Sequence, residues 1–294
     1  MKPLKKEDIK QEVFDLYDAY AHNKLERRDF VQKLSMYAVG GITVPSLMSF
    51  LMPDYENTFL VDKNNPNLDS GYISYNSAKG GGEIKALLSK PKSAENKLPG
   101  IVVVHENRGL NPYVEDTARR AALAGFITIA PDALSPLGGY PGNDDEGREM
   151  QRTRDRDEML EDFIAAFEYL KNHEGCNGKI GVVGFCFGGW ISNMMAVKVP
   201  DLAAAVPFYG GQPTEGIENI NAPLMLQYAG LDERVNAGWP AYEKQLNELG
   251  KENVAYFYPD VNHGFHNTST PRYDEPAAEL AWSRTIDFFK EKLN

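Results

Sequence analysis

The chain has 294 residues, enough for one large domain with a buried core plus an appendage, or for two small domains. Its 42% apolar and 25% charged content is ordinary for a soluble globular protein; a net charge of −11 without a sustained Lys/Arg run argues against nucleic acid or an anionic membrane as partner, though not against an anionic substrate in a locally basic pocket. Two cysteines, Cys176 and Cys186, form neither a disulfide framework nor a zinc site by spacing, and no uninterrupted apolar run reaches transmembrane length.

Residues 1–67 differ from the rest and read as an N-terminal helical extension. Ile9, Val13, Leu16 and Tyr17 recur at helical spacing between Glu7 and His22, which predicts an amphipathic helix. Arg27-Arg28-Asp29-Phe30 with Lys33, followed by the mostly apolar stretch Leu34–Met52, is similar to a twin-arginine export signal. Several features oppose that reading: Glu26 stands where Ser or Thr is usual, Pro45 interrupts the apolar segment, no A-x-A cleavage site follows, and the preceding segment is long and acidic. The expectation is therefore two helices packed on the catalytic domain or across a homodimer, in a cytoplasmic protein, with export to the periplasm as the alternative. Asn64-Asn65-Pro66-Asn67 reads as the linker into a domain spanning 68–294.

From about residue 70, strands alternate with helices. Tyr72–Ser77 and Glu83–Leu88 read as strands joined by the turn Lys79-Gly80-Gly81-Gly82. Ile101–His105 is a β-branched run that predicts a buried central strand. A helix at Pro112–Ala124, a strand at Phe126–Ala130, a Gly/Pro-rich loop at Asp132–Asp145 and a helix at Asp155–Asn172 follow. Next come strands at Ile180–Val183, Ala204–Tyr209, Leu224–Tyr228 and Val254–Tyr258, with helices at Ala237–Leu249 and Glu275–Lys292. This alternation predicts an α/β fold with a mostly parallel central sheet and helices on both faces.

The strongest chemical signal is Gly184-Phe185-Cys186-Phe187-Gly188-Gly189, a β-branched strand entering G-x-C-x-G-G with a helical segment from Trp190. It has the form of the nucleophile elbow of α/β-hydrolases with sulfur in place of oxygen. A thiol at a helix N-terminus gains from the dipole, which favours the thiolate. Asp232 in Gly230-Leu231-Asp232 and His263 in Asn262-His263-Gly264-Phe265 each follow a predicted strand. The order Cys, Asp, His at strand C-terminal ends is that of the α/β-hydrolase triad. His263 would take the thiol proton and later activate water, and Asp232 would fix its tautomer. His266 is a second, weaker candidate for the base.

These motifs, with Val104-His105-Glu106-Asn107-Arg108-Gly109-Leu110, resemble the dienelactone hydrolase (carboxymethylenebutenolidase) family over roughly residues 70–294. The resemblance implies a carboxylic ester or lactone hydrolase without metal or other cofactor. It also implies that Glu106 holds the resting thiol and, by analogy with the fold, that the backbone N–H groups of Asn107 and Phe187 form the oxyanion hole. The family's substrate-binding Arg four residues after the catalytic His is here Asn267. Arg148, Arg152, Arg154, Arg156 and Arg108 are the other anion contacts on offer, with Arg108, Arg152 and Asn267 the named candidates.

A thiolate is itself a good leaving group, so productive acylation favours enolates or phenolates as the departing group: activated esters or enol-lactones. Two alternatives are a redox-reactive thiol, with Cys176 the sole resolving partner in the chain, and a non-catalytic binding protein on the same fold. A serine esterase using Ser135 or Ser192 is remote, because neither lies in G-x-S-x-G.

Overall fold

The computed structural model describes residues 4–56 and 58–293. The chain opens with α1 (Gln11–Ala21), α2 (Arg27–Leu34) and α3 (Val44–Leu51). Their inward faces bury Val13, Phe14, Tyr17, Tyr20, Phe30, Leu34, Leu47 and Leu51 in an apolar cluster of their own. Tyr20 stacks on Phe30 with ring centroids 4.6 Å apart. The apolar stretch Leu34–Met52 is not one helix. It breaks at Gly40 and Gly41, which take φ values of 64° and 92°, and Thr43 then caps α3 by accepting from the Ser46 N–H. No helix among the described residues is long and apolar enough to cross a membrane. Arg27 and Arg28 begin a folded helix, and Arg27 pairs with Asp145 at 2.5 Å.

The remainder builds one eight-stranded sheet. The elements are β1 (Leu68–Ser77), β2 (Gly82–Pro91), β3 (Leu98–Val104), α4 (Pro112–Leu123), β4 (Ile127–Pro131), α5 (Asp144–Arg152), α6 (Arg156–Lys171), β5 (Cys176–Phe185), α7 (Phe187–Lys198), β6 (Ala204–Phe208), β7 (Leu224–Ala229), α8 (Glu233–Asn236), α9 (Trp239–Glu248), β8 (Asn253–Tyr258) and α10 (Glu275–Lys292). Spatial order is β1-β2-β4-β3-β5-β6-β7-β8; β1/β2 and β2/β4 are antiparallel and the other pairs parallel. This is the α/β-hydrolase architecture.

Helices cover both faces, so the central strands are buried on both sides. Ile101, Val103, Val183 and Val206 enter one apolar cluster, while Val102, Val104, Val182 and Ala205 enter the other. Each such fully buried branched side chain stabilises the fold by about 1.5–3 kcal/mol.

Three local expectations are corrected. The region expected to remain loop through Asp145 starts a helix at Asp144, capped by Asn143; its sequence is almost wholly polar and offers no apolar period to read. The expected helix Ala237–Leu249 starts two residues later, as α9 at Trp239, and a separate short helix, α8, precedes it at Glu233–Asn236. Helix α7 starts at Phe187 instead of Trp190, directly after the cysteine.

Candidate active site

The cysteine sits on a sharp strand-to-helix turn between β5 and α7. Cys186 has φ 58° and ψ −110°, a strained conformation for a non-glycine residue that costs of order 1–3 kcal/mol. The turn is pinned by Cys186 N–H donating to the Phe208 carbonyl at 3.0 Å, and by the Gly189 and Trp190 N–H groups donating back to the Cys186 carbonyl. Glycine is required at both flanks. A Cβ on Gly184 would land on the Gly188 carbonyl, and one on Gly188 would strike the Val104 carbonyl.

Asp232 follows β7 and His263 follows β8, so both stand at the C-terminal edge of the sheet with Cys186. One Asp232 carboxylate oxygen caps α8 by accepting from Val235 N–H at 3.2 Å, and the other lies 2.5 Å from His263 Nδ1. His263 is buried, and its Nε2 has no hydrogen-bond partner among the described residues. A ring nitrogen of His263, the Cys186 sulfur and a ring nitrogen of His22 lie within 4.8 Å of one another.

His22 comes from the end of α1 and had no motif to announce it. Its Nε2 lies 3.2 Å from Cys186 Sγ, and its Nδ1 is 3.1 Å from an Asp18 carboxylate oxygen. The available signal was the spacing alone: Asp18 and His22, four apart, share one helix face. Arg234 lies beside both rings, its Nη2 3.2 Å from His22 Nε2 and 3.2 Å from His263 Nδ1. Sulfur and two imidazoles are donors that suit a soft divalent ion. The Arg234 guanidinium 3.2 Å from His22 Nε2 disfavours a dication there.

These charges move the titrations together. Burial alone would raise the Cys186 thiol, but His22 and His263 outweigh it and hold the thiol well below its usual value. Burial alone would lower His263; the Asp232 carboxylate and the Cys186 sulfur overcome it and push the imidazole up to about 10. His22 is raised as well, because Cys186 and Asp18 prevail over its burial. The site is thus biased toward thiolate and imidazolium.

Glu106 is buried close by, but its carboxylate accepts from Asn267 Nδ2 at 2.8 Å, and the partner of the sulfur is His22. Burial raises its carboxyl against the opposing Arg108. The other carbonyl side of Asn267 accepts from Ser269, so Asn267 is committed to internal bonds and does not line the cavity. Arg108 is likewise turned away: it is buried against Asp144 at 2.8 Å and reaches the Tyr17 hydroxyl at 3.4 Å. His266 is a core residue, bonded through Nδ1 to the Tyr113 hydroxyl at 2.7 Å, stacked on Phe185, and held well below its usual range by burial. Ser192 donates to the Gly188 carbonyl inside α7.

A cavity of about 390 Å³ opens over the sulfur. Cys186, His22, His263, Asn107, Phe187, Trp190 and Tyr209 line it, with five arginines: Arg148, Arg152, Arg154, Arg156 and Arg234. Arg154 is neutralised by Asp162 at 2.8 Å, and Arg148 is bound to the Tyr20 carbonyl and stacked over the Tyr20 ring. Arg156 lies over the Trp190 ring, 3.8 Å from its centroid, and exposed Arg152 pairs with Glu149 at 3.5 Å. Cys176 opens β5 and Cys186 follows its end, which separates the two thiols by roughly 30 Å at about 3.3 Å per strand residue.

Residues 84–293 match the dienelactone hydrolase family, and residues 1–40 match a second family described as YqhI-like. An Escherichia coli protein named "Putative hydrolase fragment YghX" is 51% identical over 114 residues, covering 39% of this chain and 97% of that protein. A Saccharolobus solfataricus protein named "Putative carboxymethylenebutenolidase" is 29% identical over 249 residues, 71% of this chain and 95% of its own. Among solved structures, one titled as a "Putative Dienelactone Hydrolase" from Klebsiella pneumoniae superposes with a TM-score of 0.67 at 24% identity, covering 76% of this chain and 98% of that one. The chain belongs to the dienelactone hydrolase family and is a hydrolase of that ester- and lactone-cleaving group.

Proposed function

We infer that the protein hydrolyses activated carboxylic esters or enol-lactones through a thioacyl-enzyme on Cys186, with His263 and Asp232 completing a Cys-His-Asp triad. The observation that carries this is the thiol on a strained elbow with the Asp232–His263 pair beside it, 2.5 Å between carboxylate and ring.

His263 takes the thiol proton, and Asp232 holds the ring and balances its charge. The sulfur attacks the carbonyl, and the N–H groups of Asn107 and Phe187 receive the oxyanion. The leaving group departs, and water activated by His263 hydrolyses the thioester. The tetrahedral intermediate expels its better leaving group, so phenolates and enolates are turned over and simple alkoxides return to substrate. Arg152 and Arg156 at the cavity wall favour substrates carrying an anionic group away from the carbonyl.

Cys186→Ala should abolish turnover and acyl-enzyme formation while leaving the thermal transition in place; wild-type rates in that variant would remove the nucleophile. Comparing 4-nitrophenyl acetate, an enol-lactone and ethyl acetate tests the substrate class. Equal turnover of all three would sink it.

A further inference from the structure

We propose that His22, held by Asp18 on the N-terminal helix, is a second acid–base dyad of this active site and protonates the departing oxygen during acylation. This rests on the Cys186 nucleophile argued above and adds a residue outside the region that matches the dienelactone hydrolase family.

The geometry repeats the Asp232–His263 arrangement from the opposite wall. His22 Nδ1 faces the Asp18 carboxylate at 3.1 Å and also lies 2.8 Å from the Asp18 carbonyl, which fixes the ring with Nε2 toward the sulfur at 3.2 Å. The Asp18 carboxylate is itself held by Arg234 at 3.5 Å and Arg272 at 3.9 Å. The two imidazoles meet edge to face, 4.7 Å between centroids, and both line the cavity. The Arg234 guanidinium lies 3.2 Å from His22 Nε2, on the side of the ring that faces the cavity.

Two dyads allow a division of labour that sulfur chemistry needs. The thiolate forms the C–S bond, and the carbonyl electron pair moves to the oxyanion. As the C–O bond to the leaving group breaks, its electron pair takes the proton from His22 Nε2 and leaves as a neutral hydroxyl compound. Without that proton, an intermediate whose leaving group is a poorly stabilised anion expels sulfur instead. Once the thiolate charge is consumed, His263 gives its proton to solvent and, as the neutral base, takes one from the attacking water. The C–S pair returns to sulfur, and His22 is reprotonated from solvent, so the resting site is restored.

The test is the leaving-group dependence of kcat/KM in the full-length protein, using 4-nitrophenyl acetate and phenyl acetate with wild type, His22→Gln, His22→Asn and Asp18→Asn. Loss of general acid catalysis costs about 100-fold or more where the leaving group needs the proton. Both His22 variants should therefore lose about 100-fold on phenyl acetate and less than about 5-fold on 4-nitrophenyl acetate. Asp18→Asn should show the same selectivity with a smaller loss, and the nitrophenol burst should persist in all three. Equal losses on the two esters in variants with unchanged thermal transitions would overturn the proposal, as would no loss on either. A burst that survives in Cys186→Ala would instead overturn the nucleophile, which keeps the two failures apart.

Discussion

The sheet region and the N-terminal helices are stabilised in different ways. The sheet is held by two continuous apolar layers, with Ile101, Val102, Val182 and Val183 fully buried. The helices α1–α3 have a small apolar cluster of their own, yet they meet the rest of the molecule through polar groups. Asn107 donates to the Ala21 carbonyl at 2.5 Å, Arg148 to the Tyr20 carbonyl, and Arg234 and Arg272 approach Asp18. Gln11 bonds the Asn262 side chain next to His263. Asn107, Arg148 and Arg234 among them line the cavity over the sulfur. The lesson is that the sheet fixes where the sulfur is, while the helices adjust the charges around it.

This contrast predicts three graded effects. Phe30→Ala removes the ring that Tyr20 stacks on and should destabilise α1–α3 by about 3–5 kcal/mol. Amide exchange should accelerate in α1 and α2 while β3, β5 and β6 keep their protection. Equal acceleration in both would show that the two regions unfold as one unit.

The second effect is electrostatic. Cys186 is held well below an ordinary thiol, so thiolate persists at lower pH and is lost only as pH falls through that depressed value. Alkylation of Cys186 by iodoacetamide, mapped by mass against Cys176, should stay nearly flat from pH 9 to pH 7. An ordinary thiol of pKa about 8.5 slows roughly tenfold per unit over the acidic part of that range. On the alkaline side His22, raised from its usual value, loses the proton it gives to the leaving group, and kcat/KM on phenyl acetate should decline. A Cys186 reactivity that titrates near 8.5 would remove the charge-adjusting role of the cavity wall.

The smallest effect is expected at the periphery. Arg27 pairs with Asp145 at 2.5 Å, but its side chain is 63% exposed. Arg27→Ala should therefore shift stability by less than about 1 kcal/mol in a urea melt. A larger loss would mean that surface pairs, and not the contacts at the cavity rim, hold the helices down.

Much of the catalytic half was legible because its signals are local. Gly184 and Gly188 flank the cysteine for a steric reason that any β-strand-to-helix elbow imposes, and α10 occupies the expected Glu275–Lys292. Helix α5 was not legible, since a nearly all-polar helix carries no hydrophobic period. The arginine choice also failed locally: Arg108 and Asn267 look available in sequence, and only their buried partners Asp144 and Glu106 exclude them from the cavity.

The sequence by itself determined the alternating strands and helices, the elbow, and the three strand ends that carry Cys186, Asp232 and His263. Those follow from short-range sterics and from periodicity, which act within a few residues. Tertiary structure decided what faces the sulfur. His22 is 164 residues from Cys186 along the chain, and its position depends on how α1 docks against Arg148, Arg234 and Arg272. Contacts between residues so far apart leave no local pattern, because they arise from the summed fit of two surfaces.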